Sequence, residues 1–167
     1  MDLLRELHPQ AVRIANLLRA RDEKVAIADG ATGGLIAASL LTVPGALEFY
    51  VGGGIVYSFK ARDVLFDLPR EAYKGMRSVT EEYALLQASA IRDRMGAHWG
   101  IAESGSAGSS KHPMGVASGS SISAVAGPDN FEITRAVTTQ SDDRIDNMAA
   151  FTRGALNLLE EALVRAG

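Results

Sequence analysis

Lys24-Val25-Ala26-Ile27-Ala28-Asp29-Gly30-Ala31-Thr32-Gly33-Gly34 reads as a strand running straight into a tight loop. Val25 to Ala28 is apolar without a polar alternate, which predicts a strand covered on both faces. The glycines at 30, 33 and 34 predict a sharp turn. Leu35 to Leu41 then continues as a helix of small residues, stopped before Pro44-Gly45. A buried strand that turns directly into a helix is half of a parallel crossover. In open α/β sheets, ligands gather at the carboxyl ends of such strands.

The rest of the chain extends this pattern in both directions. Leu7, Ala11, Ile14, Ala15 and Leu18 form one helical stripe ahead of the strand. Phe49 to Tyr57 is β-rich around Gly52-Gly53-Gly54 and reads as a central strand. Glycine there predicts close approach of another backbone or a ligand. Lys60 to Phe66 reads as a short helix. Ser78 or Thr80 can cap the next helix, with Ser78 and Glu81 spaced for a capping box. Its stripe is Ala84, Ala88, Ile91 and Met95, and Gly96 ends it. His98 to Ala102 is a further strand, running into a small, polar, flexible stretch, Glu103 to about Ser118. Ser121–Ala126 and Phe131–Thr138 flank Gly127-Pro128-Asp129-Asn130, a hairpin signal. Ser141 or Asp142 caps a final helix with Ile145, Met148, Ala149, Leu156, Leu159 and Leu163 on one face. The order α-β-α-β-α-α-β-β-β-α predicts an α/β fold: a three-layer α/β/α sandwich with a mixed parallel/antiparallel sheet, one domain over residues 1–167.

Composition narrows the function. A charge of −3 and a pI near 5.6 lack the basic footprint of a nucleic-acid binder. Without cysteine there is no disulfide, thiol nucleophile or thiolate metal site. No signal-peptide core or membrane-length apolar run is present, so a cytoplasmic protein with no membrane partner is expected. His8, His98 and His112 have no metal-ligand spacing, so neither a metal nor a cofactor is expected. His8 reads as solvated, His98 as structural, and His112 as a surface residue of the polar loop, with contact to a ligand as its alternative.

Two glycine-rich loops follow strands, Asp29–Gly34 and Glu103–Ser110. The first opens a helix, whose free N–H groups suit a phosphate or carboxylate. Its plain alternative is a turn that binds nothing. Glu103 reads as a strand-end carboxylate facing water or paired with Arg62. The sharper reading is a desolvated general base.

These segments together resemble the CinA carboxy-terminal-domain family of nicotinamide mononucleotide amidohydrolases. That family reads Ala-Glu-Ser-Cys-Thr-Gly-Gly where this chain has Ala28 to Gly34. Val43-Pro44-Gly45-Ala46, Gly52-Gly53-Gly54 with Tyr57-Ser58, and Val79-Thr80-Glu81-Glu82 resemble its next segments in order. Ser104-Gly105-Ser106-Ala107-Gly108 and Asp143-Arg144 resemble its later ones. The resemblance implies hydrolysis of nicotinamide mononucleotide to the acid and ammonia, without metal, by a serine that a lysine activates. It also implies a homo-oligomer.

Carried over residue by residue, the catalytic positions are Gly30, Tyr57, Arg62 and Ser104. The substrate-binding ones are Asp29, Thr32, Gly33, Gly34, Gly105, Ser106 and Arg144. Gly30 has no oxygen with which to attack a carbonyl. Arg62 stays protonated and cannot serve as the base. The expected result is a catalytically silent homologue that holds a small-molecule nucleotide ligand. An amidohydrolase with a substitute mechanism and a non-catalytic interaction protein are the alternatives. Restoring the pair with Gly30→Ser and Arg62→Lys is expected to return some activity if the pocket is otherwise intact; no gain in a folded protein would mean that the second loop has also diverged.

Overall fold

The computed structural model describes residues 2–167. Five strands form one sheet in the order β2-β1-β3-β4-β5. They are β1 (Val25–Asp29), β2 (Tyr50–Ile55), β3 (Trp99–Ser106), β4 (Ser120–Ala126) and β5 (Glu132–Thr138). β1 pairs in parallel with β2 and β3, whereas β3–β4 and β4–β5 are antiparallel. The helices are α1 (Leu3–Arg21), α2 (Leu35–Leu40), α3 (Phe59–Phe66), α4 (Glu81–Met95) and α5 (Arg144–Ala166). α1, α2 and α5 share one apolar cluster with Ile27, Trp99, Ile101 and Val125. α3 and α4 cover the other face through Phe66, Ala84, Ala88 and Ile91, against Ala26, Ala102 and Ala124. This is the three-layer sandwich with a mixed sheet.

Every residue of β1 is buried, as its unbroken apolar run requires. The α1 stripe is buried at all five positions. Alanine dominates the α4 side of the sheet, which lets this helix sit close.

Several local expectations are corrected. β2 is an edge strand rather than a central one, and its burial alternates. Of its three glycines, Gly53 serves a backbone neighbour, since a Cβ there would run into the main chain of Ile27, whereas Gly52 and Gly54 face the side chains of Met95 and Leu65. Glu103 to Ser106 is not loop but the second half of β3, paired with Ser120 to Ser123. The cap of α4 is Thr80, whose hydroxyl accepts from the Tyr83 N–H, so Ser78 forms no capping box. Asp143, not Ser141 or Asp142, caps α5 through the Asp146 N–H, and Ile145 lies exposed. His8 is half-buried and bonded to Thr42 Oγ1 at 2.9 Å. No described helix is long and apolar enough to cross a membrane.

Candidate functional site

The C-terminal ends of β1 and β3 lie side by side in the parallel part of the sheet. A cleft of about 510 Å³ opens beside them. The first loop supplies Gly30 and Ala31 to its wall, β3 and its extension supply residues 103 to 108, and α4 supplies Tyr83 and Gln87. The end of β2 adds Tyr57 and Ser58, the 110–113 segment adds Lys111 and His112, and α5 adds Arg144.

The first loop is built around two internal carboxyls. Asp29 is buried and points at the start of α2, accepting from the Ile36 N–H at 3.1 Å, the Ala37 N–H at 3.2 Å and the Thr32 hydroxyl at 2.5 Å. It therefore caps α2 rather than lining the cleft. Glu103, 1% exposed, accepts from the Thr32 N–H at 3.0 Å and the Ser121 hydroxyl at 2.6 Å. It neither faces water nor pairs with Arg62, which corrects the strand-end expectation. No cation pairs with either acid among the described residues. Burial pushes both carboxyls up from the usual carboxylate range, against the pull of their hydrogen bonds.

Gly30 packs against β3. A Cβ there would come closer than 3.0 Å to the carbonyl oxygen of Glu103 and lie 3.1 Å from its Oε1. The obstacle is main chain inside a paired strand, so a side chain at 30 cannot be housed by a rotamer change. A serine there requires the main chain of the first loop or of β3 to shift, a packing cost that weighs against the repair by Gly30→Ser with Arg62→Lys. Arg62 lies outside the cleft. Its guanidinium sits 3.6 Å from the centre of the Tyr73 ring and 4.7 Å from that of Phe59, and it bonds Asp63. Arginine serves this stack better than lysine would, because its planar group lies flat on a ring.

The other inferred site residues divide in the same way. Tyr57, Ser104, Gly105, Ser106 and Arg144 line the cleft, while Thr32, Gly33 and Gly34 do not. Tyr57 is 72% exposed and stands at the rim. Ser104 Oγ accepts the Val79 N–H at 3.0 Å, so its own proton is free to be donated. Val79 holds that N–H in place with φ 58°, a left-handed backbone that a β-branched residue seldom adopts. The Arg144 guanidinium lies against Gly108, where any Cβ would strike it. Neither Arg144 nor Lys111 has an ion-pair partner among the described residues.

Three cleft residues were misjudged or missed in the sequence. His112 is half-buried in the wall rather than a plain surface residue. Its Nδ1 accepts the Met114 N–H, which leaves Nε2 as the protonated nitrogen of the neutral ring. Burial, and then Arg77, lowers its pKa. Tyr83 and Gln87 went unnoticed beside the alanine stripe. No group of three or more potential metal ligands occurs among the described residues.

The site therefore offers unpaired cations, hydroxyls and one amide around a bare backbone at position 30. Its cations suit an anion, and a side chain at position 30 would require the main chain to shift.

Known proteins share this architecture. The family model for the CinA C-terminal domain matches residues 7–163. A CinA-like protein of Chlorobium phaeovibrioides is 32% identical over 158 residues, covering 92% of this chain and 37% of that protein. One from Anaeromyxobacter sp. (strain K) is 35% identical over 146 residues, covering 87% and 35%. The chain thus spans little more than a third of the length of these relatives. A crystal structure of a competence-damaged protein (CinA) superfamily member from Klebsiella pneumoniae superposes with a TM-score of 0.85 at 26% identity, over 95% of this chain and 98% of that one. With the family model matched across nearly its whole length, the chain belongs to the CinA C-terminal domain family.

Proposed function

We propose that the protein binds a phosphorylated pyridine nucleotide in this cleft and does not hydrolyse its amide by a serine–lysine mechanism. One observation carries the reading: the side-chain space at position 30 is taken by the main chain of Glu103. Losing a nucleophile that works as a unit with its base removes several orders of magnitude of rate. Arg62, at the position of the base, is held on Tyr73 instead. Arg144 and Lys111 supply unpaired positive charge for a phosphate, and Ser104 a free hydroxyl proton.

A second reading has one observation in its favour. The buried Glu103 carboxyl lies 3.1 Å from the missing Cβ, with its pKa raised by burial. A proton acceptor there could activate a water in place of the serine. Calorimetry with nicotinamide mononucleotide, followed by an ammonia assay of the same mixture, separates the two. Binding without ammonia supports the silent reading. Ammonia that disappears in Glu103→Gln supports the second.

A further inference from the structure

We propose that Met114 is a latch that holds the 109–118 segment over the cleft and so sets Lys111 and His112 against the ligand. The proposal rests on the nucleotide-binding reading above and deepens it. β3 ends at Ser106 and β4 begins at Ser120, so the residues between them pair with no strand. Four of them in a row, Ser110 to Pro113, nonetheless line the cleft. The far end of the segment is tied to the sheet. There the Gly119 N–H donates to the Ser106 carbonyl and the Thr139 N–H to the Gly119 carbonyl, both at 2.8 Å. Over residues 109–114, Met114 alone makes hydrogen bonds to the rest of the chain, among the described residues. Every polar atom of Met114 has a partner. Its N–H donates to His112 Nδ1 at 3.1 Å, and its carbonyl accepts from the Arg77 guanidinium. Its thioether sulfur accepts the Ser78 N–H at 3.2 Å and the Ser78 hydroxyl at 3.3 Å.

A thioether is a weak acceptor, and a leucine would fill an apolar gap as well. Two donors aimed at one sulfur therefore require methionine here. Those donors sit on a fixed neighbour: the next residue, Val79, has its N–H on Ser104 Oγ at 3.0 Å, and Thr80 caps α4. The 77–80 stretch thus joins the segment to α4 and β3 at the mouth of the cleft. Just beyond the latch the chain turns at Gly115, with φ 72° and its N–H on the His112 carbonyl at 2.9 Å. Open space lies where a Cβ on Gly115 would be, so no side-chain packing fixes that turn. Once the sulfur lets go, Ser110 to Pro113 can swing outward and admit a ligand. Met114 does not line the cleft itself. It acts through Lys111 and His112, as a positioning residue.

A lysine-specific protease reads the latch without ligand, through the rate of cleavage after the exposed Lys111. Met114→Leu keeps the apolar bulk and removes the acceptor. It is expected to raise that rate about threefold to tenfold, the size of one ordinary hydrogen bond or two weak ones. Ser78→Ala is expected to raise it less. Added to Met114→Leu it should raise the rate no further, because the hydroxyl has already lost its acceptor. Calorimetry then reads the positioning. Met114→Leu is expected to weaken nicotinamide mononucleotide by about the same factor in the native background, and much less in Lys111→Ala. Near-native melting shows that each variant is folded. Cleavage of folded Met114→Leu at the native rate would overturn the latch. Faster cleavage with unchanged nucleotide affinity would overturn its role in the site. A native protein that binds no nicotinamide mononucleotide sinks the nucleotide reading and the positioning role with it, while cleavage still decides whether the latch exists.

Discussion

The carbonyl oxygen of Glu103 fills the space that a Cβ on Gly30 would need. Gly30 thus has a packing role of its own. It is the residue that lets the first loop close against β3, where Thr32 can then donate its N–H to the Glu103 carboxyl. Gly30→Ala and Gly30→Ser are expected to destabilise the fold by about 1–3 kcal/mol, the usual cost of overpacking. Thermal melting checks this, at roughly 2–4 °C per kcal/mol for a domain of this size. A variant that melts with the native protein would show that the loop moves freely.

The same contact sets the outcome of the catalytic repair. Gly30→Ser with Arg62→Lys is expected to release no more ammonia from nicotinamide mononucleotide than the native chain. Arg62→Lys alone is expected to lower the melting temperature by a few degrees, because its planar group stacks on Tyr73 and such contacts contribute about 0.5–2 kcal/mol. Ligand affinity should not change, since Arg62 lies outside the cleft wall. Altered affinity in a normally folded Arg62→Lys protein would place this residue in the site.

How much of this was open to sequence reading depends on the range of the interaction. β1 and the α1 stripe were legible because an unbroken apolar run and a 3.6-residue period each have one packing solution. The glycines of β2 pointed to a close backbone approach, which Gly53 makes to Ile27, but not to the strand's place at the edge, because one backbone neighbour needs that glycine equally in either position. Glu103 was misread because the polar stretch after Ala102 looks like loop. Only its pairing with Ser123 across the sheet reveals a buried strand position. Tyr83 and Gln87 each precede a stripe alanine, so they sit on the flank of the predicted face. Whether a flank meets water or a cleft is decided by segments remote in sequence.

The Glu103 carboxyl predicts a pH dependence. Its pKa is raised in the folded state by burial, so the folded protein holds that proton more tightly than the unfolded chain does. Its contribution is fully present below the ordinary glutamate pKa and is lost as pH rises through the raised value. Glu103→Gln removes this titration. The variant should therefore gain on the native protein in melting temperature as pH increases from the ordinary glutamate range. Asp29 shifts in the same direction and its charge adds to the rise at Glu103, so Glu103→Gln also relieves that repulsion, which acts in the same sense. A gap that is constant with pH would contradict the buried, cation-free carboxyl.

Arg144 predicts a salt-sensitive ligand. Its unpaired guanidinium lines the cleft against Gly108. Arg144→Ala is expected to weaken nicotinamide mononucleotide by about 1.5–3 kcal/mol, as for a lost hydrogen bond to a charged group. It should also flatten the dependence of affinity on salt. Gly108→Ala, which displaces the same guanidinium, should weaken binding in the same direction. Calorimetry at two ionic strengths checks both, and native-like affinity in Arg144→Ala would remove the phosphate contact.

The central claim is that the cleft binds without turning over. The most direct measurement is ammonia release from nicotinamide mononucleotide by the pure native protein, made at a ligand concentration where calorimetry shows the site filled. The account predicts release no greater than from a heat-killed control. Sustained release above that control would contradict it.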